Sequence, residues 1–185
     1  MRDVIASGRI AAVRVRMPAS VVGILAALAW SGCAYYSFTG AVIPSNLNTI
    51  SIPLAEDNSV STLVNLDESL TSLLVDRFVG QTRLSLQPDE EQADAVLRAR
   101  IDRYLNQPAS VGGEERATLN RVTISVTTEY VDRTKDEVIF NRSFSSFEEY
   151  DPTDPERGLS GEEDAARAVI EKIADDIFTA ATANW

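Results

Sequence analysis

From Ala93 onward, apolar and polar residues alternate along the chain. In Ala93–Leu105, Ala95, Leu97, Ala99 and Ile101 share one side while Arg98, Arg100 and Asp102 share the other. In Arg121–Val131, Val122, Ile124, Val126 and Tyr130 line one face, and in Glu137–Phe147, Val138, Phe140 and Phe144 fall together. A period of two puts successive side chains on opposite faces of a pleated strand, so these are three strands with one apolar face each. Asn48–Leu54 alternates in the same way, with Ile50 and Ile52 together, until the polar run AEDNS breaks it. Arg83–Gln87 is a shorter alternating stretch, ended by Pro88 and DEEQ.

Two other segments carry the helical period. Leu63, Leu66, Leu70, Leu73, Leu74 and Phe78 recur three and four residues apart, with Asp67, Glu68, Ser72 and Asp76 mostly elsewhere, which predicts an amphipathic helix over about Ser61–Val79. Gly80 is placed to end it. A second helix starts at Ser160, with Glu163 three residues on as a capping box, and runs through Val169, Ile170, Ile173 and Ile177 to about Ala180. Asn184 and Trp185 at the end read either as an exposed anchor or as packing, with Trp185 closing the core beneath the helix. Three strands with one apolar face need a covering layer, and the two helices supply it. The fold class is therefore α+β: a two-layer sandwich of a mostly antiparallel sheet covered by two amphipathic helices.

The amino-terminal stretch follows neither period. Arg2, Arg9, Arg14 and Arg16 precede the uncharged ASVVGILAALAW, Ala19 to Trp30, after which come Ser31, Gly32 and Cys33. A basic start, an apolar centre and a small-residue junction make a secretory signal, and about 12 apolar residues fall short of the ~20 needed to cross a bilayer. Ser-Gly before the chain's single cysteine resembles the lipobox of bacterial lipoproteins. In that resemblance Cys33 becomes the first mature residue and is acylated on its sulfur and its amine. Two or more acyl chains hold a protein stably at a membrane, whereas one holds it marginally. The division predicted is 1–32 signal peptide, 33–46 lipidated tether and 47–185 the α+β domain.

Net charge sharpens the class. The whole chain carries −11, and since Met1–Gly32 contributes a net +3, the part from Cys33 onward carries −14. Non-specific nucleic-acid binding depends on basic residues neutralising phosphates, so it is excluded as a role. Membrane contact is expected to come from the lipid anchor. With no histidine in the chain and its one cysteine acylated, the usual general base and thiol nucleophile are absent. Carboxylate clusters remain in PDEEQ, GGEE and GEED, but acids in turns and at a helix start are ordinary solvated groups. No catalytic residue, metal ligand or cofactor is expected, and a binding module is favoured over an enzyme.

The lipobox, the YYSFTGAVIPSNLNTISIPL that follows it, the Leu-rich helix, LNRVTISVTTEYVD, SFSSFEEYDP and the closing DDIFTAATANW together resemble the LptE family of lipopolysaccharide-assembly lipoproteins, in the form found in Bacteroidetes-like bacteria. The resemblance implies a non-enzymatic protein that sits in the lumen of the large outer-membrane β-barrel LptD, helps it fold and assists delivery of lipopolysaccharide to the outer leaflet. It implies an LptD-like barrel as partner, with lipopolysaccharide itself as a further one, and an outer-membrane location that Ala34, after the cysteine, suits. A lipid-anchored periplasmic scaffold unrelated to lipopolysaccharide is the alternative.

Six side chains are candidate partner contacts. Tyr35, Tyr36 and Phe38 read equally well as an interfacial belt beside the lipid and as packing of the tether on the domain. Arg98, Arg100 and Arg121 lie on the solvent side of the predicted sheet and suit a polar barrel wall or a phosphate. Against that, each is an ordinary surface charge that can pair with Asp102 or Glu129 for under about 1 kcal/mol.

Overall fold

A computed structural model describes residues 43–61, 63, 65–109, 119–155, 157 and 160–183. Cys33, Tyr35, Tyr36, Phe38, Asn184 and Trp185 lie outside the described residues. The element order is β1 (Thr49–Ser51), β2 (Glu56–Asp57), α1 (Leu66–Gln81), β3 (Ser85–Leu86), β4 (Ala95–Pro108), β5 (Asn120–Asp132), β6 (Glu137–Tyr150) and α2 (Ser160–Ala183). The strands form one sheet in the order β3-β1-β4-β5-β6, with β2 paired to β4 beyond the end of β1. β4, β5 and β6 form the expected antiparallel meander, and β1, β2 and β3 join it by short parallel pairs. The α+β sandwich predicted from periodicity is the fold.

Both helices pack on one face of the meander. Ala95, Leu97, Ala99 and Ile101 of β4 and Val122, Ile124, Val126 and Tyr130 of β5 are all buried there. Leu66, Leu70, Leu74 and Phe78 of α1 and Val169, Ile170, Ile173 and Ile177 of α2 close over them. Phe78 is the hinge of the aromatic packing, edge-on to Phe178 at 5.3 Å between centroids and tilted against Tyr130 at 6.0 Å. Offset and edge-to-face rings add about 0.5–1.5 kcal/mol beyond the area they bury.

Four local expectations are corrected. The first helix starts at Leu66, and Leu63 lies ahead of it in a turn where its amide donates to Ser61 Oγ. Asn65 precedes the helix in the left-handed region, φ 65°, which asparagine tolerates better than most residues. Gly80 does not end it: the helix continues to Gln81, and extended Thr82 stops it, donating its hydroxyl to the Phe78 carbonyl and accepting the Leu84 amide. The acidic stretch read as a strand break contains β2, whose Glu56 and Asp57 pair through backbone with Arg100 and Ile101. Val138 is 55% exposed because a bulge follows it: Val131 pairs with Val138 and Tyr130 with Phe140, leaving Ile139 as an extra residue that reverses the alternation. A second irregularity between Ile101 and Arg103 leaves Asp102 and Arg103 both exposed and turns Tyr104 inward.

The sheet has two distinguishable ends. At one, Tyr104 OH donates to Glu162 Oε1 at 2.6 Å, and Gly161 approaches Tyr150 so closely that an added Cβ would meet its ring at 3.1 Å. Ser160 opens α2 as expected but not through the capping box: its amide and its hydroxyl both donate to the Arg157 carbonyl, so Glu163 does not take the amide. Burial and the Glu162 carboxylate push the Tyr104 hydroxyl well above its ordinary pKa, so it stays a donor.

At the other end the chain enters the domain, and three side chains hold residues 43–49. Arg83 Nη2 donates to the carbonyls of Ile43 and Pro44. Asp94 accepts the amides of Asn48 at 2.8 Å and Thr49 at 3.0 Å, while its own amide donates to Thr49 Oγ1. The Asn48 amide is the main reason the Asp94 carboxyl lies below its ordinary pKa of 3.8, despite partial burial. Asn46 Nδ2 donates to Asp132 Oδ2 at 3.1 Å and to Thr134 Oγ1 at 2.7 Å. Asp132 is 1% exposed; burial alone would raise its pKa, but hydrogen bonds from Thr134, Asn46 and the Lys135 amide outweigh that and lower it. Leu47, fully buried, sits between these grips.

Candidate functional site

Among the described residues nothing covers the face of the meander away from the helices, and it is built mainly from charges and hydroxyls. Arg98 and Arg100 project from alternate positions of β4, opposite Glu129 and Thr127 of β5, which oppose Asn141 and Ser143 of β6. Arg98 pairs with Glu90 at 2.5 Å and Glu129 at 3.3 Å, and Arg100 pairs with Asp102 at 2.7 Å. Thr127 Oγ1 donates to Asp102 Oδ2 at 2.5 Å and lies 2.9 Å from Ser143 Oγ, and Ser125 and Ser145 hydroxyls pair at 3.0 Å. The Glu90 bond chiefly raises the Arg98 pKa, and the Asp102 bond that of Arg100, so both guanidiniums are permanently charged and held in place. Burial alone would raise Asp102, but bonds from Thr127 and Arg100 outweigh it and lower it. A shallow depression of about 380 Å³ lies over this group, lined by Leu54, Glu56, Glu90, Arg98, Arg100 and Asn141 among others.

Arg121 lies apart from that pair. It opposes Gln107 near the other end of the sheet, six residues along β5 from Thr127, or about 20 Å. Its guanidinium donates to Glu149 Oε1 at 2.5 and 3.0 Å and stacks 4.4 Å above the Phe147 ring. Phe147, 51% exposed, and Leu105, 40% exposed, flank Thr123 in one row and give this end of the face a small apolar element. The structure therefore joins Arg98 and Arg100 in one cluster and separates Arg121. Each of the three already has a carboxylate partner: Glu129 reaches Arg98 across strands as expected, whereas Asp102, expected across strands, pairs with Arg100 of its own strand.

One cation was missed. Arg142 of β6 lies on the helix side, over the Phe140 ring at 5.4 Å and the Phe144 ring at 4.8 Å. With Phe144, Asp176 and Thr179 it lines a groove of about 470 Å³ between the edge of β6 and α2. Its sequence signal is an arginine two positions from each of two phenylalanines, which in a strand puts all three on one face.

The family model for lipopolysaccharide assembly, LptE, matches residues 47–181. The chain belongs to the LptE family. The matched span runs from the buried Leu47 to Ala181 in α2, so it takes in every strand, α1 and all but the last two residues of α2. Among solved structures, the LptE chain is similar to uncharacterized lipoprotein B from Nitrosomonas europaea, at 13% identity with a TM-score of 0.54, covering 79% of this chain and 88% of that one. It is also similar to protein XCC0632 from Xanthomonas campestris, at 12% identity with a TM-score of 0.52, covering 76% and 90%. At such identities the likeness establishes the fold. No curated protein matches the chain. Among the described residues of this LptE chain, no helix is long and apolar enough to cross a membrane.

Proposed function

We propose that this LptE chain is a non-enzymatic, lipid-anchored component of lipopolysaccharide assembly that docks against an outer-membrane β-barrel of the LptD type through the open face of its sheet. The observation that carries the docking is the asymmetry of the meander: two helices cover one face, and the other displays paired charges, a ladder of hydroxyls and three exposed apolar residues. The lumen of a large outer-membrane barrel is polar, so a wedge whose contact face is polar and internally neutralised can enter it without stranding a charge. Acylation of Cys33, with 1–32 removed and 33–46 as the tether, supplies the membrane attachment in this reading. Arg98 and Arg100 act together in one contact and Arg121 with Phe147 in another, through the faces of their ion pairs, since each guanidinium is already engaged. Tyr35, Tyr36 and Phe38 are proposed contacts beside the lipid.

Crosslinking of tagged protein in native outer membranes, read by mass spectrometry with Cys33→Ala as the unanchored control, tests the proposal. Recovery of a barrel with crosslinks on Arg98, Thr127, Ser145 or Phe147 supports it. Recovery of a barrel crosslinked through α1 and α2 sinks the choice of face, and absence of any barrel favours the alternative, a lipid-anchored scaffold.

A further inference from the structure

The entry segment, residues 43–49, is held at one end of the sheet by Arg83, Asp94 and Asp132 and by the buried side chain of Leu47. That is the end where β4 begins at Ala95, β5 finishes at Asp132 and β6 begins at Glu137. The opposite end, where β4 reaches Pro108 and β6 Tyr150, is thirteen strand residues away, or about 43 Å. Ile43 follows Cys33 by ten residues, which even fully extended span no more than about 35 Å. A chain acylated at Cys33 and gripped at Ile43 is therefore too short to let the domain stand with its far end on the bilayer.

We infer that this grip orients the domain, presenting the sheet end that carries residues 132–138 to the lipid surface. The inference rests on the proposed acylation of Cys33. One further feature agrees with it: Val138 at that end is 55% exposed, an apolar side chain placed where headgroups would meet it. Releasing residues 43–49 would add about 25 Å of reach and remove the constraint.

The test uses full-length protein, acylated in its host and reconstituted into vesicles of phosphatidylethanolamine and phosphatidylglycerol containing a nickel-chelating lipid as a short-range quencher. With Cys33 acylated, a cysteine introduced as Glu137→Cys or Gln107→Cys is the only free thiol and takes a fluorophore at the near or far end. The expected result is quenching several-fold stronger at 137 than at 107, with the difference largely lost when Arg83→Ala and Asp94→Ala are added. Equal quenching at the two positions overturns the orientation, and an undiminished difference in the released variant overturns the grip as its cause. The intact mass of the membrane-extracted protein separates the two readings: an unmodified Cys33 sinks the anchor, whereas an acylated protein quenched equally at both labels sinks the orientation alone. If the released variant fails to fold, the comparison of the two labels in the otherwise native chain still decides.

Discussion

The two faces of the β4–β6 meander are made by the same residues counted alternately, yet they have different tasks. On β5, Ile124 and Val126 are fully buried under α2, while half-buried Ser125 between them pairs with Ser145 across the strand gap on the other face. The covered face draws its stability from apolar area at about 25 cal/mol per Å². The open face contributes little to folding, because exposed ion pairs and hydroxyl pairs are worth about 0–1 kcal/mol each. If this face docks as proposed, the internal pairing of Arg98, Arg100 and Arg121 fits a partner that is polar rather than strongly charged.

The sharpest break between the faces is expected at neighbouring residues of one strand. Ile124→Ala should cost about 2–5 kcal/mol in denaturant unfolding, whereas Ser125→Ala should stay within about 0.5 kcal/mol; similar losses at both would erase the distinction. Next in size is Asp132→Ala, which strips the buried partner from Asn46, Thr134 and the Lys135 amide and should cost about 1–3 kcal/mol. Its sign with pH follows from the direction of the shift. Asp132 and Asp94 have folded pKa values below the ordinary 3.8, so their contribution is intact above it and is lost as pH falls through the depressed values. The stability gap between neutral pH and about pH 3 should therefore narrow in Asp132→Ala, and an unchanged gap would assign acid sensitivity elsewhere.

A smaller effect has the opposite sign. Thr128 is fully buried on the covered face, and its hydroxyl has no hydrogen-bond partner among the described residues. Thr128→Val keeps the shape and removes the unpaired group, so the midpoint of unfolding should rise by the equivalent of about 1 kcal/mol. A loss instead would mean that the hydroxyl is satisfied. Smallest is Arg121→Gln, which gives up the Glu149 pair and the stacking on Phe147 for under about 1 kcal/mol. If the open face docks, that variant should lose crosslinking to a barrel partner while its melting curve barely moves.

The covered face was legible because a period of two survives wherever a strand is regular. Leu97, Ala99 and Ile101, and Val122 through Tyr130, fall where alternation puts them. Legibility failed where one residue was inserted: the bulges near Asp102 and Ile139 reverse the phase, so Val138 emerges and Tyr104 turns in. β2 was invisible because its two acids pair through backbone alone, which a hydropathy pattern does not record. At the candidate site, the identities and facing of Arg98, Arg100 and Arg121 could be read, and so could two of their partners. That Arg121 stands apart depends on register, and that Arg83, Asp94 and Asp132 meet around residues 43–49 depends on contacts between segments dozens of positions apart. The turn at Asp132-Arg133-Thr134 did carry a signal, an acid two residues before a threonine, whose amide and hydroxyl it accepts.

The connectivity of the sheet also sets an order of events. β4, β5, β6 and α2 are consecutive in the chain, so their contacts close short loops, whereas β1 must find Ala95 and Val96 from about 45 residues away. Loop-closure cost therefore predicts that the meander and its last helix form first and that β1, with Leu47 and Ile50, joins them late. Pulsed hydrogen exchange during refolding should protect the amides of Ile124 and Val126 before those paired with Ile50; simultaneous protection would contradict this order. On this order residues 43–49, which fasten the start of the domain to the sheet, are expected to lock last and to open first.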